Sequence, residues 1–338
     1  MLKIRQIQNK NEWENFLLGQ PYTLMNQSAK YGNFYESLGE KSWVFGVYDD
    51  EILIGGSLVL STHAKRGDFL FLPYGPVGDI NKILQPLTEH LKKFARENKF
   101  DFIRISPFVE NNEVNRGVLS KNGYRKAPMH VLAETTWLLD LTKSEEELLK
   151  AMNKNHRNLI RRCEKEGVKI EKLNNLNALE EFNKLHDFTA KRHNFHRFSN
   201  DYVKKEFEAF QPYNEVIVWK AYLPDGILDT SAVIYYYGNM AAYRHGASLV
   251  QDNKIPTSYL LQWESIKEAK SRGLKYYNFW GIAPDNANRN HPFKGITHFK
   301  KGFGGFQKDL LPAHDLPITK KYWLNWTVET LRRIKRGF

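Results

Sequence analysis

Three groups of side chains have types and spacings that could do chemistry. The first surrounds Lys300, in Phe299-Lys300-Lys301-Gly302-Phe303-Gly304-Gly305. An ammonium fixed there could hold a developing oxyanion or a phosphate. The flanking glycines would let a ligand approach the backbone closely. Spacing alone also fits a solvent-facing lysine on a turn. The second group is Thr189, Arg192 and Phe195, a T-x-x-R-x-x-F pattern. An arginine fork suits a nucleotide diphosphate, and a surface arginine on a helix is the plainer alternative. The third is Lys150, Lys154, Arg157, Arg161 and Lys165, spaced 4, 3, 4 and 4. On one helix these five form a stripe opposite the apolar face. No acid interrupts residues 148–163, whereas a merely solvated face mixes signs. Such a stripe could follow a phosphate backbone.

Other chemistries lack their residues. No G-x-S-x-G nucleophile elbow is present. The lone cysteine, Cys163, falls on a predicted apolar helix face and cannot build a disulfide framework or a thiolate zinc site. His186, His193 and His196, and His291 with His298, lack H-E-x-x-H or thiolate support. They read as polar contacts, and neither a metal nor a cofactor is expected. Asp140 and Asp315 could serve as bases, but nothing in the sequence gives their surroundings.

These groups need elements to position them. Residues 43–60 read as strand, turn, strand around Asp49-Asp50-Glu51. Residues 215–237 read the same way around Pro224-Asp225-Gly226, and Ile52 and Ile227 are 175 apart. Leu87–Asn98 reads as a helix leading to a strand at Phe102–Ser106. Tyr259–Arg272 is likewise a helix leading to Tyr276–Trp280, and Phe102 and Tyr276 are 174 apart. LSKNGYRK at 119–126 echoes FKKGFGGF at 299–306, with Gly123 and Gly302 179 apart. The chain therefore reads as two copies of one α+β unit, each a largely antiparallel mixed sheet flanked by helices. The element order matches the acyl-CoA N-acetyltransferase-like fold, an analogy at fold level. Between the copies, Thr142–Gly167 is expected as a helix, with a Ser144/Glu147 capping box, an apolar face of Leu148, Met152, Leu159 and Cys163, and Gly167 as its C-cap. A closing helix is expected over Trp323–Ile334, its apolar side (Leu324, Val328, Leu331, Ile334) packed inward.

Charge narrows the partners. Lys and Arg number 50 against 38 Asp and Glu, a net charge of +12, which favours an anionic partner. No N-terminal apolar region reads as a signal peptide, and no run approaches the ~18 apolar residues of a membrane span. A cytoplasmic, soluble protein is expected.

Several segments together resemble the Fem family of peptidoglycan bridge-forming aminoacyltransferases. They are GPV at 75–77, TWLLDL at 136–141, KNHRNLIRRCEKEGVKI at 154–170, TAKRHNF at 189–195, AAYRHGAS at 241–248, PTSYLLQWESIKEAKSRG at 256–273, YYNFWGI at 276–282 and THFKKGFGGF at 297–306. No segment is long enough for the coiled-coil arm of FemA-like members, so the chain looks like the compact FemX type. The resemblance implies tandem acyltransferase-like domains, 1–137 plus 312–338 and 138–311, the second inserted in the first. It implies transfer of an amino acid from aminoacyl-tRNA to the side-chain amine of the stem peptide of a peptidoglycan precursor, nucleotide- or lipid-linked, with no covalent intermediate. It places the family's Phe-Lys motif on Phe299 and Lys300 as catalytic residues. Arg192, Thr189, Tyr243 and Arg244 fall to the substrate, Tyr243 and Arg244 facing one cleft. The stripe from Lys150 to Lys165 would meet tRNA. QSAKYGNFYE at 27–36 departs from the family, with Tyr31 in place of its Trp and Tyr35 near its basic residue.

Two other functions compete. An N-acetyltransferase using acetyl-CoA would carry a glycine-rich diphosphate loop before a helix, yet Lys254-Ile255-Pro256-Thr257 stands there. A non-catalytic tRNA-binding module would need the stripe alone. Thr319–Phe338, with six basic residues and one acid, could also rest on anionic lipid as a peripheral contact. A monomer is expected.

Overall fold

The computed structural model describes residues 2–65, 67–193, 196–251, 254–287, 291 and 293–336. Its earlier elements are β1 (Lys3–Gln6), α1 (Lys10–Leu18), α2 (Ala29–Ser37), β2 (Ser42–Asp49), β3 (Ile52–Thr62), β4 (Phe69–Tyr74), β5 (Val77–Gly78), α3 (Ile80–Glu97), β6 (Phe102–Pro107), α4 (Glu113–Lys121) and β7 (Arg125–Lys126). Then come β8 (Thr135–Asp140), α5 (Glu145–Ala151), α6 (Lys154–Lys165), β9 (Lys169–Leu173), α7 (Ala178–His193), α8 (Asn200–Phe210), β10 (Val216–Tyr222), β11 (Leu228–Tyr237) and β12 (Met240–Ser248). The last are α9 (Ser258–Ser271), β13 (Tyr276–Gly281), α10 (Lys294–Lys301), β14 (Phe306–Asp309), β15 (His314–Pro317) and α11 (Tyr322–Arg336). Two compact units result. The first holds Met1–Thr136, Gly281–Lys294 and Lys308–Phe338; the second holds Trp137–Trp280 and Gly295–Gln307.

Each unit is built around one mixed sheet. The first runs β1-β2-β3-β4-β6-β15-β7, with β5 beside β3. The second runs β14-β8-β13-β12-β11-β10-β9. In both, an antiparallel meander ends in one parallel pair, β4 with β6 and β12 with β13. A helix makes each of those crossovers, α3 in one and α9 in the other, because parallel neighbours need a long connection. The sequence echo is thus a topological repeat. It extends to a β-bulge: register slips leave Ile54 unpaired between β2 and β3, and Asp229 between β10 and β11, 175 residues apart. Beyond the parallel pair, each sheet takes a strand from outside its own meander. β15, late in the chain, fills the place between β6 and β7, while β8, ahead of the second meander, lies between β13 and β14.

Local structure departs from the sequence reading in three places. First, α3 begins at Ile80, before the expected Leu87. The Asp79 carboxylate caps it by accepting from Asn81 N at 3.1 Å. Ile80, Ile83 and Leu84 continue its buried stripe. Pro86 is tolerated inside, where its missing N–H leaves only the carbonyl of exposed Lys82 without a helical donor.

Second, Thr142–Gly167 is two helices. The Ser144/Glu147 box forms, and Gly167 closes α6 at φ +84°. Met152, however, is extended at ψ 151°, and Asn153 starts a new helix by accepting from Asn155 N at 2.9 Å. One Arg157 nitrogen donates back to the carbonyls of Leu149 at 3.1 Å and Lys150 at 3.2 Å, and to that of Met152. His156 and Ile160 join Cys163 in the core, leaving Leu159 half-buried. The basic stripe is therefore broken after Lys150, and one of its members is a cap.

Third, α11 does not turn its expected apolar side inward. Tyr322 and Asn325 are buried, and Glu329 reaches Arg104 on β6 at 2.7 Å. Leu324, Leu331 and Ile334 are 56%, 61% and 69% exposed. The polar side of the helix finds ion-pair and hydrogen-bond partners on the sheet, so the aliphatic side is left outside.

Candidate active site

Lys300 lies in the last turn of α10 and is buried at 6% exposure. Desolvation lowers its ammonium from the ordinary 10.5 to about 7. The alternative of a solvent-facing lysine on a turn is thereby corrected, and near neutral pH this side chain divides between amine and ammonium.

Phe299, the preceding residue, anchors the helix. Its ring meets Tyr259 edge-on at 5.1 Å and Phe303 at 5.2 Å. Its carbonyl lies 2.9 Å from His156 Nε2. Burial lowers the His156 pKa, so its neutral form is favoured. The glycines after Lys300 serve internal packing, not ligand access. A Cβ on Gly302 would fall 2.0 Å from the His156 ring, and one on Gly305 would fall 2.2 Å from the Leu138 carbonyl. Trp137 Nε1 donates to the Gly304 carbonyl at 2.6 Å, and the Lys301 amine stands 5.3 Å above the Trp137 ring. The motif is thus clamped from α6, α9 and β8, which fixes the direction of Lys300.

Tyr243 and Arg244 do not face one cleft. In β12, Val233 pairs with His245 and Ile234 with Tyr243, so Arg244 is an inserted residue. Tyr243 packs into the cluster that also receives Tyr259 and Phe299. Its hydroxyl lies where a Gly246 side chain would be, 1.9 Å from that Cβ position, and burial pushes it to about 12. Arg244 and His245 both turn toward α8. Arg244 Nε donates to Glu206 at 3.1 Å, and His245 Nε2 lies 2.8 Å from the other Glu206 oxygen. The Arg244 guanidinium stacks 5.0 Å from Trp280 and 5.3 Å from Phe198. Sequence reasoning missed Glu206, because an acid among the exposed acids and lysines of α8 gives no sign of burial. It also missed Trp280, held at φ +66°, where a bulky residue is strained.

Thr189 and Arg192 form a third place, at the end of β12. The Thr189 hydroxyl accepts from Ser248 N at 3.0 Å and donates toward the Leu185 and Ser248 carbonyls. Arg192 is exposed, with one nitrogen on the Leu249 carbonyl and another 3.2 Å from Ser248 Oγ. Phe195 lies outside the described residues. Lys150, Lys154, Arg161 and Lys165 are exposed.

The two candidate bases are structural. Asp140 accepts from the Thr142 hydroxyl at 2.7 Å and its N–H at 3.0 Å, closing a turn. Asp315 is fully buried against Arg104, at 2.6 and 2.8 Å.

A buried carboxylate, Asp229, stands beside the start of α9. The Thr257 hydroxyl donates to Asp229 at 2.6 Å, and Gln251 N donates to the same carboxylate at 2.8 Å. Arg162 and Cys163 of α6 lie on the Lys254 and Pro256 carbonyls at 3.3 and 3.5 Å. In the first unit Asp79 occupies the corresponding start of α3. Asp79 caps α3 directly, whereas Asp229 holds the Thr257 hydroxyl just ahead of α9, whose own first turn takes no side-chain cap. At each helix start a carboxylate stands close to where an anion would otherwise be welcome.

A profile described as the FemAB family matches residues 9–225 and 220–330 of the chain. The lipid II:glycine glycyltransferase of Staphylococcus haemolyticus (strain JCSC1435) is 20% identical over 312 residues, covering 70% of this chain and 73% of that protein. Among solved structures, a crystal structure of FemX superposes with TM-score 0.85 at 17% identity, covering 97% of this chain and all of that one. A tandem GNAT protein from the clavulanic acid biosynthesis pathway gives TM-score 0.54 at 12% identity, covering 94% and 99%.

Proposed function

The chain belongs to the FemAB family and is an aminoacyltransferase; we propose that its donor is aminoacyl-tRNA and its acceptor the side-chain amine of the stem peptide of a peptidoglycan precursor. The observation that carries the donor class is the buried Asp229 carboxylate beside the N-cap of α9. An acetyl-CoA enzyme needs free amides there for a diphosphate, and the Asp229 carboxylate, held by Thr257 and Gln251, repels one. An ester-linked donor makes no such demand. The similarity to a lipid II:glycine glycyltransferase supports the acceptor class.

The reaction is aminolysis. The acceptor amine attacks the ester carbonyl, and a C–N bond forms as the C–O bond to the ribose breaks. The amine gives up a proton and the ribose oxygen gains one. Lys300 in its ammonium form donates to the oxyanion between these steps. Phe299 and the clamp around it hold that group in place. Lys154, Arg161 and Lys165 of α6, with Lys150 of α5, take the tRNA backbone, and Arg192 takes phosphate at the end of β12. The chain acts without a cofactor.

The test offers the protein a soluble nucleotide-linked or a lipid-linked precursor, together with charged tRNA or acetyl-CoA. The expected result is an amino-acid mass increment on the precursor, abolished by ribonuclease. An acetyl increment, or no increment with any pairing, overturns the proposal.

A further inference from the structure

We infer that the outer face of α11 docks on an anionic lipid bilayer. At about 100° per residue, Trp323, Leu324, Thr327, Leu331 and Ile334 fall on one side of this helix. That side is opposite Tyr322, Asn325 and Glu329, which bind the helix to its sheet. Trp323, Leu324, Leu331 and Ile334 are 45%, 56%, 61% and 69% exposed. The Arg125 guanidinium stacks on the Trp323 ring at 4.8 Å, an aromatic-cation pair suited to the headgroup level. Lys320, in the turn before the helix, Lys335, at one edge of the apolar stripe, and Arg332, further round the same flank, are all exposed. The single acid of the helix, Glu329, is drawn inward to Arg104.

The charge pattern selects the occupant. A second copy of this face would bring cations against cations. A bilayer accepts the apolar stripe and, if anionic, neutralises its flanks. A helix lying in the interface needs no spanning length, and among the described residues no helix is long and apolar enough to cross a membrane. This inference does not depend on the donor or acceptor chemistry.

The test uses the full chain and vesicles of phosphatidylcholine with or without phosphatidylglycerol, read by co-sedimentation. Binding is expected on the anionic vesicles, about tenfold weaker on the neutral ones, and weakened by about 0.5 M salt. Leu324→Ser, Leu331→Ser and Ile334→Ser together should lower it about tenfold with an unchanged unfolding temperature. Lys320→Gln, Arg332→Gln and Lys335→Gln together should remove the preference for anionic lipid. Equal vesicle binding by the serine variant and the parent overturns the inference, as does no binding by the parent. A lipid-free dimer abolished by the serine variant also overturns it and makes the face a self-association surface.

Discussion

At the scale of single residues, Lys300 decides most. Its motif was readable as Phe-Lys-Lys-Gly, but its burial was not, because the side chains that enclose the motif come from α6, α9 and β8. The sign of its titration gives a stability test. The unfolded chain keeps this proton up to about 10.5, whereas the fold releases it near 7. Between those values the unfolded state binds more protons, so stability rises with pH, and below 7 the full desolvation cost is present. Lys300→Met should therefore raise the unfolding temperature near neutral pH, a gain on the order of a few kcal/mol that closes toward pH ~10. The same variant should lose transfer. Lys300→Arg keeps a charge at every pH, so the ratio of kcat/KM between wild type and Lys300→Arg should fall as pH rises through about 7. A flat ratio removes the oxyanion role, and an unchanged unfolding temperature in Lys300→Met removes the desolvation argument.

At the scale of elements, the sequence was most legible where signals are local. The Ser144/Glu147 box and Gly167 at the end of α6 rest on contacts three or four residues apart, and both form. The break at Met152–Asn153 was not legible, because the apolar spacing runs straight through it. Its cause is Arg157, whose side chain reaches back across the junction to three carbonyls of the preceding turn. The stripe of cations thus mixes two duties, which substitutions separate. Arg157→Ala should cost about 1–3 kcal/mol in urea unfolding, since charged donors leave helix-end carbonyls unpaired. Arg161→Ala, at an exposed position, should leave stability within about 0.5 kcal/mol. It should instead weaken tRNA binding and reduce the salt slope by roughly 0.7–0.9. If Arg161→Ala leaves both affinity and slope unchanged, α6 is a solvated face and the tRNA path lies elsewhere.

At the scale of the whole molecule, the echo at offsets of 174 and 175 was legible because both meanders repeat strand, turn and strand in order. Its third match shifts in the structure. Gly123 at φ +84° corresponds to Gly304 at φ +81°, not to Gly302, which makes the offset 181. Strand patterning alone could not place β8 or β15, because it records which face is buried and not which edge is joined; only the family resemblance put residues 312–338, and so β15, with the first domain. What holds β15 in the first sheet is long in sequence and short in space: Arg104 grips Asp315 across 211 positions and Glu329 across 225. Asp315 is fully buried. Arg104→Met leaves that carboxylate with little beyond the Tyr322 hydroxyl at 3.3 Å, and should cost about 3–5 kcal/mol. Adding Asp315→Leu should recover most of the loss, because a buried pair gains little over well-packed apolar groups. Urea unfolding of the two variants and the parent, followed by far-ultraviolet circular dichroism, measures both steps. A double variant as unstable as Arg104→Met alone would mean that the pair itself, and not the stranded charge, keeps β15 in register between β6 and β7.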